Sequence, residues 1–137
     1  MLPIEYARQK QDFTLYNSDI TEKIIGAAIE VHRNLGPGLL ESVYEQCLCH
    51  EFDIRGIHFR RQCELNVEYK GLTIECAYRP DLIVEDEVIV ELKAADQNSK
   101  VFEAQLLTYL KLGKKKVGLL INFGLPNLRQ GLIRRVV

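Results

Sequence analysis

The sequence predicts an α/β fold: a mixed sheet of three antiparallel strands with a fourth strand added in parallel, flanked by helices in the order αβββαβ. Three observations predict it. Apolar residues recur at helical spacing from Ile20 to Leu35 and again from Leu40 to Leu48. Alternating or β-branched runs, separated by turn residues, then fill positions 63 to 93. Finally, a helical stretch from about residue 99 to 112 leads into an apolar run at 116–123. A strand reached through a crossover helix joins its sheet in parallel.

In chain order, residues 1–17 lack clean periodicity and read as an N-terminal arm. Ser18 or Asp19 can cap the first helix, with Glu22 three residues beyond Asp19. Ile20, Ile24, Ala27, Ala28, Val31 and Leu35 form its apolar stripe, and Gly36-Pro37-Gly38 ends it. His32, near its end, reads as a surface or capping histidine rather than a ligand. A second helix runs from after Pro37 to about Phe52, burying Leu40, Val43, Tyr44, Cys47 and Leu48; Glu41 and Glu45 share another edge. Cys63–Tyr69 and Leu72–Tyr78 alternate around Lys70-Gly71, a hairpin signal. Pairing Tyr69 with Leu72 collects the apolar residues on one face. Carried onward, the same parity places Thr73, Glu75, Arg79 and Asp81 together on the polar face of a three-strand meander. Ser99 or Asn98 caps the third helix, on which Gln105 and Tyr109 project together, and Gly113 stops it. Lys116–Phe123 is a buried strand, and Leu128–Val137 a last edge strand or tail. The whole chain, 1–137, reads as a single domain with its core at 18–123.

The chemistry concentrates between Tyr78 and Lys93. Leu82–Val84 and Val88–Val90 are short β-branched runs around the acidic turn Glu85-Asp86-Glu87, which predicts an antiparallel hairpin. A three-residue loop pairs Ile83 with Ile89, Asp81 with Glu91 and Arg79 with Lys93. Two carboxylates then stand side by side above a dry isoleucine pair. At about 4 Å and an effective dielectric near 20 they repel by roughly 4 kcal/mol. A shared proton, the Lys93 and Arg79 cations, or a divalent metal could each offset that; hard oxygen donors suit Mg²⁺ or Mn²⁺. On the residues alone, a hairpin end with solvated charges is the competing reading.

Composition bounds the function. A chain of 137 residues supports one core. Its net charge of −1 supplies no global basic field of the kind that coats nucleic acid. No apolar run approaches the roughly 18 residues of a membrane span, and the N-terminus lacks a signal-peptide pattern, so the cytoplasm is the expected compartment. Cys47 and Cys49 point about 200° apart on a helix, and no pair completes a zinc site with Cys63 or Cys76; buried free thiols are expected.

Pro80-Asp81, nine intervening residues, then Glu91-x-Lys93 resembles the signature of the PD-(D/E)xK nuclease superfamily. Two further stretches strengthen the resemblance. Gly38-Leu-Leu-Glu41-Ser-Val-Tyr44 matches the motif naming the GxxExxY family, which looks like a branch of that superfamily. Gln105-Leu-Leu-Thr-Tyr109 resembles the Q-x-x-x-Y helix of RecB-type members. The resemblance spans about Ser18 to Phe123 and implies a restriction-endonuclease-like core.

It also implies Mg²⁺-dependent (or Mn²⁺-dependent) hydrolysis of nucleic acid, DNA before RNA. Asp81 and Glu91 would hold one or two metals, with the Leu92 carbonyl as a further ligand. Lys93 would position or deprotonate a water and stabilise the transition state. Glu41, preferred to Glu45 because it is the motif's glutamate, would complete the metal shell or take a proton; Gln105 would orient the site. Arg79, Tyr109 and Tyr44 are the expected substrate contacts, although Tyr44 is also apolar enough for the core. Arg55, His58, Arg60 and Arg61, with Lys111 and Lys114–Lys116, offer backbone contacts or plain solvated surface. Aromatic residues are not interleaved with these cations, so no single-strand stacking platform is expected. The sequence leaves room for a homo-oligomer or protein partner. Two other readings stand beside the nuclease: a nuclease-fold protein that binds without cleaving, and an unrelated α/β adaptor with incidental acids.

Overall fold

A computed structural model describes residues 17–137; the arm expected at 1–17 lies, Asn17 apart, outside the described residues. Two helices open the fold, α1 (Ser18–Leu35) and α2 (Glu41–Arg55). Strands β1 (Phe59–Arg61), β2 (Leu65–Tyr69), β3 (Leu72–Tyr78), β4 (Leu82–Val84) and β5 (Val88–Lys93) follow. Helix α3 (Lys100–Gly113), β6 (Val117–Asn122), a 3₁₀ turn (Leu128–Gly131) and β7 (Leu132–Val136) complete the chain.

The sheet is mixed, five-stranded and ordered β1-β4-β5-β6-β7, in keeping with a restriction-endonuclease-like α/β fold. β5 and β6 run parallel, Val88 beside Val117 through Lys93 beside Asn122, and the other neighbours are antiparallel. A strand covered on both faces needs apolar residues at every position, which is why Val88–Leu92 and Val117–Ile121 lack clean alternation. One face carries Leu82, Val90, Leu92 and Leu119 against Ile24, Tyr44, Leu48 and Phe52 of α1 and α2. The other carries Ile83, Ile89 and Leu120 against Leu106, Tyr109 and Leu110 of α3. Gly118 is required for this second packing: a Cβ there would lie 2.7 Å from a methyl of Leu106.

The expected turn register is present, with Ile83 opposite Ile89 and Val84 opposite Val88. Ser99 caps α3, its hydroxyl accepting from the Val101 amide. The chain end is an edge strand, β7, against β6.

The three-strand meander requires correction. β2 and β3 form a sheet of their own, and the third antiparallel strand is the three-residue β1, which pairs with β4. The backbone breaks the expected continuity twice. Gln62 and Cys76 take left-handed conformations at φ 51° and 55°, so the chain leaves the sheet after β1 and returns irregularly. Pro80, with no N–H to donate, separates β3 from β4. The hairpin packs instead along α3, with Leu65 beside Gly113 and the Tyr78 ring 5.7 Å from that of Tyr109.

Smaller corrections follow from burial. Asn17, not Ser18 or Asp19, occupies the α1 cap position, with no side-chain hydrogen bond. Leu40 is not in the core but 74% exposed at the start of α2. Cys76 is exposed while Cys49 is buried, and all four cysteines are free. His32 bonds the Leu125 carbonyl at 2.9 Å, tying the end of α1 to the loop after β6. No helix among the described residues is long and apolar enough to cross a membrane.

An interlocked carboxylate pair beside a lysine

The β4–β5 ladder ends at Leu82 opposite Val90, and the next residue on each side is an acid. Asp81 and Glu91 interlock through the backbone. The Asp81 N–H donates to Glu91 Oε1 at 2.8 Å, and the Leu92 N–H donates to Asp81 Oδ2 at 2.8 Å. Each carboxylate therefore keeps one oxygen outside these two bonds, and both belong to one end of the sheet. Glu91 is only 3% exposed.

Lys93 shares the face of Glu91, two residues on. Its ammonium donates to Gln105 Oε1 at 3.0 Å and lies 4.9 Å from the centre of the Phe102 ring. The Gln105 amide in turn donates to the Tyr109 hydroxyl at 2.9 Å. One turn of α3 thus fixes the lysine through an i, i+4 pair. The loop after Lys93 is pinned as well. Buried Asn122 accepts from the amides of Ala95 and Gly124, and the Phe123 N–H donates to the Lys93 carbonyl at 2.8 Å. Gly124 permits that approach, since a Cβ would stand 2.2 Å from the Ala95 carbonyl oxygen.

Three carboxyls here hold protons more tightly than usual. Glu91 is raised to about 8, by burial first and by the Asp81 and Glu41 charges, against the Asp81 N–H and Lys93. Burial also raises Asp81, against the opposing Leu92 hydrogen bond. Glu41 is raised by burial and then by Asp81, which places it within electrostatic reach of the pair from the start of α2. Lys93 is the one cation that lowers all three. Three acids against one ammonium leave excess negative charge, the condition a divalent cation relieves. No closed cage of three or more His, Cys, Asp or Glu ligands stands among the described residues. The donors are two carboxylates with a third acid nearby, a set suited to an ion that retains waters for the rest of its shell.

The remaining expected site residues fare differently. Glu45 is buried and matched by Arg61 at 2.5 Å and by the Gln62 amide at 3.1 Å, so it anchors α2 to β1. Tyr44, expected at the substrate, lies in the core. Its side chain is fully buried and stacked on Phe123, and its hydroxyl donates to the Gly36 carbonyl and accepts from the Leu39 N–H. Arg79 does not oppose Lys93; it pairs with Glu64, just before β2, at 2.8 Å. Tyr109 is buried, and its hydroxyl accepts from the Gln105 amide. The expected run of backbone-binding cations is dispersed, for Arg60 and Lys115 both meet Asp86 at the opposite end of β5. Sequence reasoning missed Gln62 and Asn122. Gln62 carried no signal, whereas Asn122 was visible as a polar residue closing an apolar strand.

No curated protein and no solved structure matches this chain. The family model of the PD-(D/E)XK nuclease superfamily matches residues 18–136, a span that includes Asp81, Glu91 and Lys93 as well as α2 and α3. On that match, carried by most of the chain, the protein belongs to the PD-(D/E)XK nuclease superfamily.

Proposed function

We propose that the protein is a metal-dependent nuclease hydrolysing phosphodiester bonds of DNA with Mg²⁺ or Mn²⁺, and that it lies in the GxxExxY branch of its superfamily. The observation that carries this reading is the interlocked Asp81–Glu91 pair, with Glu91 buried and Asp81 half-buried, flanked by an ammonium held in place.

The carboxylate oxygens of Asp81 and Glu91 outside the interlocking bonds would hold the metal, with the Leu92 carbonyl as a further ligand. Glu41, at the open side, serves as a further donor or as proton acceptor. A divalent ion, when bound, supplies Lewis acidity and neutralises phosphate charge. Lys93 orients the attacking water and stabilises charge developing on the phosphate oxygens. Gln105, buttressed by Tyr109, keeps the Lys93 ammonium from collapsing onto the carboxylates. The water oxygen bonds to phosphorus, a phosphorus–oxygen ester bond breaks, and the products are a phosphomonoester and a free hydroxyl.

The test is cleavage of plasmid and oligonucleotide DNA with Mg²⁺ or Mn²⁺ by wild type, Asp81→Asn and Lys93→Ala. Metal-dependent cleavage lost in both variants supports the reading. Cleavage surviving both points to a contaminating enzyme. Metal-dependent thermal stabilisation without cleavage, abolished in Glu91→Ala, favours a nuclease-fold protein that binds without cutting.

A further inference from the structure

Two clefts open on either side of Lys93, and both are walled by apolar and aromatic groups. One, of about 350 Å³, is lined by Leu39, Leu40, Glu41, Lys93, Ala95 and Phe102 among others. The second, of about 390 Å³, is lined by Tyr78, Lys93, Val101, Phe102, Gln105 and Tyr109 among others. Lys93 and Phe102 belong to both, so the clefts meet at the reactive centre. Among the described residues, Lys93 is also the only lysine or arginine lining either cleft.

The exposure pattern is unusual for a soluble surface. Leu40 is 74% exposed and Val101 72%, and both stand at these cleft walls. Each begins a helix, so neither position is dictated by packing beneath it. Four of the cations that could grip a duplex backbone are paired with carboxylates instead. Arg61 pairs with Glu45, Arg79 with Glu64, and Arg60 and Lys115 with Asp86. Duplex binding depends on many phosphate contacts, because the bases are stacked inside and present only their edges. Unpaired nucleotides expose apolar base faces, which stack on aromatic and aliphatic side chains with little need for charge. Clefts of this size lie at the small end of ligand pockets and admit single nucleotides.

We propose that the substrate is an unpaired nucleic-acid strand, with its scissile phosphate at Lys93 and its flanking nucleotides in the two clefts, against Leu40 on one side and Phe102, Val101 and Tyr78 on the other. This rests on the nuclease reading and adds the substrate class to it. The structure thereby supplies the apolar platform that the sequence pattern did not foretell: Phe102 comes from α3, Tyr78 from β3 and Leu40 from the start of α2.

The experiment uses the full chain and one fluorescent oligonucleotide, either single-stranded or annealed into a blunt duplex. Binding is read by anisotropy in Ca²⁺, and cleavage in Mg²⁺ or Mn²⁺. The expected result is at least tenfold tighter binding of the single strand. With one or two phosphates held, the slope of log affinity against log salt should be about −1. The double variant Leu40→Ser/Val101→Ser should weaken single-strand binding at least fivefold while leaving thermal stability intact; Ser at the cap of α2 is a favourable cap residue. Equal or tighter duplex binding, with Lys93-dependent cleavage, overturns the substrate class and leaves the nuclease. A variant that binds the single strand like wild type overturns it too. Concentration-dependent self-association abolished by the double variant, with unchanged strand affinity, would assign the surface to a second copy instead. Absence of both binding and metal-dependent cleavage overturns this inference and the nuclease reading together.

Discussion

The molecule contains two hairpins of similar composition and opposite character. β2–β3 carries Glu64 and Arg79, β4–β5 is flanked by Asp81 and Glu91, and both grow from alternating, β-branched sequence. In the first, the acid meets an arginine and the Cys76 thiol in the open, and its carboxyl falls below the ordinary range, with the thiol hydrogen bond the largest cause. In the second, the acids receive backbone N–H groups, Asp81 also meets the Gln62 side chain, and Gln105 holds the lysine; burial outweighs these, and both rise. Surface acids relax onto the nearest cation. The fold withholds that relaxation from Asp81 and Glu91, and burial favours their protonated form instead.

The sharpest way to break this contrast is substitution in each hairpin. Asp81→Asn or Lys93→Ala should lower metal-dependent cleavage by about 10³-fold, the scale of a lost metal donor or of a lost charge at the transition state. Arg79→Ala should change it less than about twofold in the same assay. An equal loss in Arg79→Ala would erase the distinction between the two hairpins.

The second difference lies in the sign of the pH dependence. The Glu91 carboxyl stands near 8 in the folded protein against 4.5 in the unfolded chain. Between those values the folded chain keeps a proton that the unfolded chain has released, so metal-free stability falls as pH rises from about 4.5 to 8. The change is on the order of 4 kcal/mol. Glu64 has the opposite sign, losing its contribution as pH falls through the acid range, and its full exposure makes that effect small. Urea unfolding across this pH range, in wild type and Glu91→Gln, should show a downward slope that the substitution largely removes. Saturating Mg²⁺ should flatten it in wild type. A wild-type slope unchanged by Glu91→Gln would show that burial does not hold a proton on Glu91.

Legibility in the sequence followed the range of the interaction. The 83–89 register, the Ser99 cap and the parallel β6 were readable because turn length, local capping and a crossover helix each dictate them within a few residues. The separate β2–β3 sheet was not readable, because alternation looks the same whether a strand joins the main sheet or a partner of its own. β1 escaped for a related reason: Phe59-Arg60-Arg61 is three residues long and mostly polar, with no periodicity to detect. At the site, Asp81, Glu91 and Lys93 were readable as a cluster because hairpin parity is local. The Glu45–Arg61 pairing and the apolar walls around Lys93 depend on how α2 and α3 dock, which no short spacing encodes.

The two motif tyrosines separate the remaining contributions, and their effects are the smallest. Tyr44 and Tyr109 are both buried and both hydrogen-bonded, yet one serves the fold and the other the site. Tyr44→Phe removes bonds to the Gly36 carbonyl and the Leu39 N–H, groups near enough to solvent for water to replace part of the loss. It should cost about 1 kcal/mol, read as a fall of about 4 °C in melting temperature, with cleavage per folded molecule unchanged. Tyr109→Phe takes away the acceptor for the Gln105 amide but leaves the Gln105–Lys93 bond, so the lysine loses orientation rather than charge. It should lower kcat about threefold with KM unchanged, less than the typical worth of one neutral hydrogen bond. A Tyr109→Phe loss as large as that of Lys93→Ala would mean the hydroxyl reaches the reacting atoms itself. A loss confined to KM would instead make Tyr109, which lines the second cleft, a strand contact rather than a buttress.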